Sequence, residues 1–534
     1  ILRLSLAAYR LWRTIVVSKV CSALLVACRG ITAGSVFAVT ELRLLLIEWL
    51  DATVYRFPLI ELTVYVDDTS LESSGSADTV ARTIAGATWL FTTALQAMGM
   101  EFSDTKNTVV ASSPAIADRI INGLPNLKTT TATKAKSLGG AISNGKVRNT
   151  AVMKKRLKAF RERKVRFQKL RRAKGFSAAA TVLRSGGIAS MVYGQGNTGV
   201  ANSTLHTQRQ SAAAAVSRRG AGDLDLTLMM ADASFSGMAD PAFAAHLSTI
   251  GLWAEAVWES WMPRSALQRM VEAAKTKAAD SKASIWSTVT GPAAAFVASA
   301  SRLGWAITDA TKIVTRDKVE LDLCRDSPAM VKYHTKRAVW QWRWGRLESK
   351  LPSLKQGEGG HGLHVQPLFF LLKSKRASEN WDRQQRGALI SSVINRQWTQ
   401  ARLFSAGMAD NMACRLCVAR GLCSPDSQEP RFKGTAVHRL FTCGATEEYR
   451  CKHCPPKLLE EALREIKADG TMAPAANLLY TRALMASLVP SLPPVPPEPT
   501  FNWLVKPIRD DLPSGIAYVD GSLLDGHHTL AGLT

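Results

Sequence analysis

The sequence predicts an α+β protein, and three observations carry that reading. Leu62, Val64 and Val66 alternate with Thr63, Tyr65 and Asp67, the period of a half-buried strand. From Ser76 to Met98, Val80, Ile84, Ala87, Phe91, Ala94 and Met98 recur at spacings of three and four, the stripe of a helix laid on a sheet. Residues from about 176 to 400 are Ala-rich and read as predominantly helical, with many tryptophans expected as core anchors because each buries a large apolar area.

The chain opens on Leu2, Leu4, Leu6, Leu11 and Ile15, which read as a helix already inside a domain. The strand Leu62–Val66 then runs straight into two adjacent carboxylates, Asp67 and Asp68, where a tight turn is expected. A hairpin tip of this kind suits Mg²⁺ or Mn²⁺, because hard cations take one or two carboxylates together with substrate phosphates. Two such ions can activate an attacking hydroxyl and stabilise the leaving oxygen of a phosphoryl transfer. An ordinary Asp-Asp turn uses the same residues for local hydrogen bonding alone. In the helix that follows, Ser76 is placed to cap the start and Gly99 to end it.

Three further segments surround the carboxylates. Arg29-Gly-Ile-Thr-Ala-Gly-Ser35 opens an apolar stretch from Val36 to Leu50. Gly99-Met-Glu-Phe-Ser-Asp-Thr-Lys-Asn-Thr108 is a turn carrying Lys106, and Ser137-Leu-Gly-Gly-Ala-Ile142 is a short hairpin. Together with Tyr65-Val-Asp-Asp68 these motifs resemble, in order, those of the reverse transcriptases of non-LTR-type retroelements. The resemblance implies that residues 1–145 are the C-terminal part of a polymerase palm, an antiparallel sheet with helices. It gives Asp67 and Asp68 the catalytic Mg²⁺, and Tyr65, Gly30, Gly34 and Ser35 the template and nucleotide. It also sets Lys106 near the nucleotide and makes residues 137–142 the primer grip. The family's first catalytic aspartate lies on a strand just upstream, and no Asp precedes Asp51 here, so the chain as given is not expected to polymerise.

From Lys154 to Lys174, 12 of 21 residues are Lys or Arg and Glu162 is the single acid. The resemblance makes residues 146–175 the thumb. Lys154, Lys155, Arg156, Lys158, Arg161, Arg163, Lys164 and Arg166 are the candidate contacts to a nucleic-acid backbone, whose neutralised phosphates release counterions. A solvated helix or a nuclear localisation signal fits the same run. Residues 176–407 form a helical connection with no catalytic constellation, and Trp340-Gln-Trp-Arg-Trp344 is its best candidate for stacking on bases.

Cys414-Arg-Leu-Cys417 and His438-Arg-Leu-Phe-Thr-Cys443 supply a Cys-x2-Cys knuckle and a His-x4-Cys arm, enough to close a tetrahedral Zn²⁺ site within residues 408–458. Cys423, Cys451 and Cys454 are alternative or additional ligands. A zinc knuckle after the polymerase, with an apolar pair such as Leu440 and Phe441 inside its arm, is likewise similar to the non-LTR elements. A helical segment at 459–488 and a stiff Pro-rich linker at 489–505 follow. Gly515-Ile-Ala-Tyr-Val-Asp-Gly-Ser522 resembles the opening of a type 1 ribonuclease H (residues 506–534), where Asp520 would be the first of four metal-binding carboxylates; a plain strand ending in an Asp-Gly turn fits too.

A formal charge of +25 and a pI near 9.9 favour a polyanionic partner. The resemblance names RNA template, DNA primer, RNA–DNA hybrid and dNTP. No run of eighteen apolar residues suits a membrane span. Nine cysteines, several in close pairs with histidines nearby, fit metal binding in a reducing compartment, nuclear or cytoplasmic, better than a disulfide scaffold. A non-catalytic nucleic-acid-binding protein using the basic helix and the finger is the competing expectation.

Overall fold

The computed structural model describes residues 7, 10–25, 37–146, 148–217, 222–232, 237–282, 284–354, 362–373, 381–487, 520–524 and 527–531. It divides into two compact units, residues 1–492 and 493–534. The fold is mixed α+β, with long helices and small, mostly two-stranded sheets. Gly30, Gly34, Ser35 and the Pro-rich linker lie outside the described residues.

In the first unit a short ribbon, β1 (Val16–Val17) and β2 (Val20–Cys21), precedes α1 (Ala38–Arg56). The hairpin of β3 (Ile60–Tyr65) and β4 (Asp68–Ser73) comes next, then α2 (Ala77–Ala97). The Ser76 hydroxyl accepts from the Thr79 amide at 3.3 Å and caps α2. Leu46 of α1 and Phe91 and Leu95 of α2 are buried together, and Val64 of the hairpin packs on them. Hydrophobic burial therefore fixes the hairpin against the two helices. Beyond it, β5 (Thr108–Val109) and β6 (Thr130–Thr131) pair in parallel around α3 (Pro114–Asn122). A second hairpin, β7 (Lys134–Ser137) with β8 (Gly140–Ser143), leads into the 24-residue helix α4 (Ala151–Lys174).

The largest core belongs to the connection. Its helices α5 (Phe176–Val182), α6 (Ile188–Val192), α7 (Asn202–Val216) and α8 (Leu224–Ala231) pack beside α4. The main cluster gathers α9 (Pro241–Trp258), α10 (Arg264–Asp280), α11 (Pro292–Arg302) and α12 (Pro328–Lys350). A three-stranded antiparallel sheet, β9 (Ala306–Asp309), β10 (Lys312–Val314) and β11 (Glu320–Asp322), interrupts the helices; helical composition around it concealed it from the sequence reading.

Trp340 and Trp344 correct one expectation. At 5% and 6% exposure they are core residues, so they offer no face to a base. They flank a buried ionic lattice instead. Arg209 donates to Asp240 at 2.9–3.2 Å and to Asp225 at 2.6 Å, Arg343 pairs with Asp240 at 3.2 Å, and Lys350 reaches Asp225 at 2.7 Å. Trp342 lies over the Arg209 guanidinium at 5.2 Å. Buried charges persist only when paired in this way.

After α13 (Gln366–Lys373) and α14 (Arg383–Val393), the chain builds a small cysteine-rich lobe. Its helices are α15 (Gln400–Ser405), α16 (Arg415–Ala419), α17 (Glu447–His453), α18 (Pro456–Arg464) and α19 (Pro474–Arg482). The Arg482 guanidinium donates to the Val393 carbonyl at 2.9 Å, and Leu478 and Leu484 join the main core. The cysteine segment is thus continuous with the 459–488 helices and with the connection, where the sequence suggested separate pieces. In the second unit, β12 (Asp520–Leu524) and β13 (His527–Ala531) form an antiparallel hairpin with Asp520 opposite Ala531. Asp520-Gly521 opens a strand here and does not form the turn.

Candidate functional site

The β3–β4 register pairs Tyr65 with Asp68, leaving Val66 and Asp67 as a two-residue turn. Such turns need positive φ and favour Asn or Gly. Val66 nevertheless sits at φ 57°, a conformation that crowds its branched Cβ and costs on the order of 1–3 kcal/mol. The result is a tight tip presenting Asp67 and Asp68 to solvent, beside an exposed Tyr65. Hard, exposed carboxylates of this kind fit Mg²⁺ or Mn²⁺. Among the described residues, no third carboxylate, His or Cys joins them in a metal-sized group. Lys106 is exposed in the turn before β5 and makes no hydrogen bond or ion pair with either aspartate.

Helix α4 buries Met153, Leu157, Phe160 and Phe167 on one side, and this fixes which cations face out. Lys154, Lys155, Lys158, Arg161, Arg163, Arg166, Lys169 and Arg172 are exposed, whereas Lys164 is half-buried. Lys154, Lys158, Arg161, Lys169 and Arg172 fall along one row at helical spacing, about 27 Å long at 1.5 Å per residue. Arg156 has a different job. It donates to the Gly139 carbonyl at 2.8 Å and to the Tyr193 carbonyl, and stacks on the Tyr193 ring at 4.9 Å. It thereby ties the β7–β8 turn to α4, a role its place in a basic run concealed.

Cys414, Cys417, His438 and Cys443 are all buried, and their ligand atoms lie within 4.8 Å of one another. Cys417 Sγ is 3.4 Å from His438 Nε2 and 3.5 Å from Cys443 Sγ, and Cys414 Sγ is 3.9 Å from Cys443 Sγ. A tetrahedral ion with bonds of about 2.3 Å to sulfur and about 2.0 Å to nitrogen sets its ligand atoms ~3.5–3.8 Å apart, so the donor set fits zinc.

Local backbone chemistry explains the convergence. The Cys443 amide donates to the His438 carbonyl at 2.8 Å, closing an i→i+5 turn. That widened turn returns residue 443 to the side occupied by residue 438, which a regular helix would not do. Cys414 is held by its amide on the Phe432 carbonyl at 2.8 Å, while Gly434 runs close beneath it. A Cβ at Gly434 would meet Cys414 Cα at 3.2 Å and Gln400 Cβ at 2.6 Å, so only glycine fits. Phe441 faces away from the thiols into a satellite core with Val437, Ala462 and Met472.

The electrostatics suit a metal ligand set. Burial lowers the His438 imidazole below its ordinary value, keeping it neutral, and Thr442 Oγ1 stands 3.4 Å from Nδ1 as the partner that orients Nε2 inward. Burial and contact with the neighbouring thiols push Cys417 up to about 12, a large penalty on thiolate that a bound cation would reverse. Cys451 is exposed and Cys454 half-buried, and neither enters the cluster; Cys423 packs at its edge. The alternative ligand pairing is therefore not assembled. Thr442 and Gly434 went unread in the sequence because their roles depend on the widened turn and on a crossing strand.

No helix among the described residues is long and apolar enough to cross a membrane. Comparison with known proteins finds no matching family model, no matching curated protein and no matching solved structure.

Proposed function

We propose that the chain is part of a retroelement RNA-directed DNA polymerase that holds a template–primer along α4 and carries a structural zinc. One observation carries the reading: a branched residue, Val66, is held in a strained turn whose effect is to present Asp67 and Asp68 together at an exposed tip. Strain retained beside paired carboxylates supports a functional turn, since a glycine at position 66 would remove it. The order of elements supports it: hairpin, packed helix, second hairpin, basic helix.

In this reading Asp67 is the Mg²⁺ ligand and Asp68 supports it. The ion would activate the primer 3′ hydroxyl for attack on the dNTP α-phosphate and offset charge on the leaving oxygen. Lys106 lies toward the nucleotide, the row from Lys154 to Arg172 follows the backbone, and Asp520 opens a ribonuclease H domain acting on the RNA–DNA hybrid. Cys414, Cys417, His438 and Cys443 hold Zn²⁺ and brace the lobe beyond the connection. They are not catalytic, because no acid or base is built into the cluster.

That no third carboxylate joins the two aspartates among the described residues favours a second reading, a nucleic-acid-binding protein with no polymerase chemistry. Mn²⁺ binding separates them. Followed by electron paramagnetic resonance with template–primer and dNTP present, the polymerase reading expects a saturable Mn²⁺ site that Asp67→Asn removes. Binding that is absent or indifferent to Asp67→Asn, with nucleic acid still bound, supports the second reading.

A further inference from the structure

Segment 193–201, between α6 and α7, crosses the buried indole of Trp286. Gly199 permits the crossing: at φ 59°, its Cβ position would lie 2.8 Å from the ring, so no other residue could pass. Two arginines from distant parts of the chain meet on this indole. The Arg148 guanidinium lies 5.3 Å from the Trp286 ring centroid and that of Arg302 4.2 Å.

Their hydrogen bonds are all to neutral acceptors. Arg148 Nε donates to the Thr198 carbonyl at 2.8 Å and Nη2 to the Gly199 carbonyl at 2.5 Å. Arg302 Nε donates to Asn202 Oδ1 at 2.9 Å, and its Nη2 to the Val200 carbonyl. Both side chains are half-buried, and among the described residues neither pairs with a carboxylate. Each keeps a terminal amino group, Nη1, without an acceptor, and that of Arg302 is buried. Burial lowers the guanidinium pKa of both, and for Arg302 the charge of Arg148 adds to the effect.

The fully buried Arg209 and Arg343 are neutralised by aspartates, whereas half-buried Arg156 and Arg482, like this pair, meet only carbonyls. Carbonyl dipoles account for part of each guanidinium's donor set but bring no opposing charge. An arginine fork with a donor to spare suits the oxygens of a phosphate. The place is informative as well. Arg148 lies three residues before α4, in a segment pinned by Asn149 Nδ2 to the Ala135 and Ile142 carbonyls of the β7–β8 hairpin. The pair therefore stands at the foot of the basic row.

We propose that Arg148, Trp286 and Arg302 form a phosphate-binding site, occupied by a backbone phosphate of the nucleic acid that follows α4. Only the source of the phosphate rests on the nucleic-acid reading; the site itself stands apart from polymerase chemistry. The test uses the full chain in two titrations. Thermal unfolding is followed against inorganic phosphate at constant ionic strength, and affinity for a labelled single-stranded oligonucleotide is followed against salt.

The expected result is a saturable rise in melting temperature that Arg148→Gln abolishes. The same substitution should lower the slope of log K against log salt by about 0.7, the value for one neutralised phosphate on a single strand. A phosphate shift abolished in Arg148→Gln with an unchanged slope supports the site and assigns it to free phosphate. Equal stabilisation of wild type and variant by phosphate overturns the proposal and leaves the arginines as a clamp on the 198–200 carbonyls. Should Arg148→Gln fail to fold, Arg302→Lys keeps the charge and loses the fork. It should weaken phosphate stabilisation several-fold, and an unchanged response would again overturn the site.

Discussion

Removing zinc should unfold the cysteine-rich lobe while leaving the rest of the chain folded. The lobe's own apolar cluster is small: Val437, Phe441, Ala462 and Met472 are buried together, with Leu459, Ile466, Ala476 and Tyr480 packed partly against them. Four ligands at 0–5% exposure add a further tie across the lobe only when a cation holds them together. At a free zinc concentration 1,000 times its Kd, binding adds about 4 kcal/mol to the folded state. Hydrogen exchange after chelation should therefore show lost protection from about 411 to 480, with α9 and α12 unchanged. Cys417→Ser should reproduce it, and Cys451→Ser and Cys454→Ser should be silent because their thiols lie outside the cluster. If chelated protein keeps its protection, or if reduced protein purified without chelator contains no zinc, the packing argument is wrong.

Three other perturbations have worked signs. Replacing Lys154, Lys155, Lys158 and Lys169 with Gln should flatten the salt dependence of duplex binding by up to about 0.9 for each phosphate no longer neutralised, whereas Arg156→Gln should lower stability through the Gly139 and Tyr193 carbonyls and leave the slope nearly unchanged. Fully buried His246 donates from Nδ1 to the Ala242 carbonyl at 2.7 Å, and burial lowers its pKa from 6.5 to about 3. The unfolded chain binds the extra proton between those values, so stability should be full above pH 6.5 and fall toward pH 3, with His246→Gln flattening the urea-midpoint profile. Asp225 and Asp240, held low by Arg209 and its neighbours despite burial, add loss in the same direction at lower pH. Finally, Val66→Asn should raise stability by about 1 kcal/mol in denaturant titration by relieving the positive φ; a loss would mean the turn is not strained.

What the sequence disclosed divides along physical lines. Local periodicity was enough for β3 running into Asp67 and for the α2 stripe, because strand alternation and helical spacing are written in consecutive residues. The basic helix was legible to within a few residues for the same reason. Spacing already favoured His438 and Cys443 over Cys451 and Cys454 as metal ligands, but the widened turn that brings them together is announced by no periodicity. Tertiary pairings were hidden entirely. Arg156 reads as one cation among twelve until the Gly139 carbonyl meets it, and Arg148 and Arg302 are 154 positions apart in the chain but share one indole. The Trp340–Trp344 segment misled because alternating polar residues suggested exposure, whereas Arg343 is itself buried against Asp240.

Nucleotide incorporation tests the polymerase reading most directly. The protein should be expressed from its whole natural reading frame and supplied with primed RNA, dNTPs and Mg²⁺. Primer extension is expected, and Asp67→Asn should reduce it by about 10²–10³-fold, the scale of losing an electrostatic group at the reacting centre. Binding of the template–primer without extension, or extension that survives Asp67→Asn, would contradict that reading.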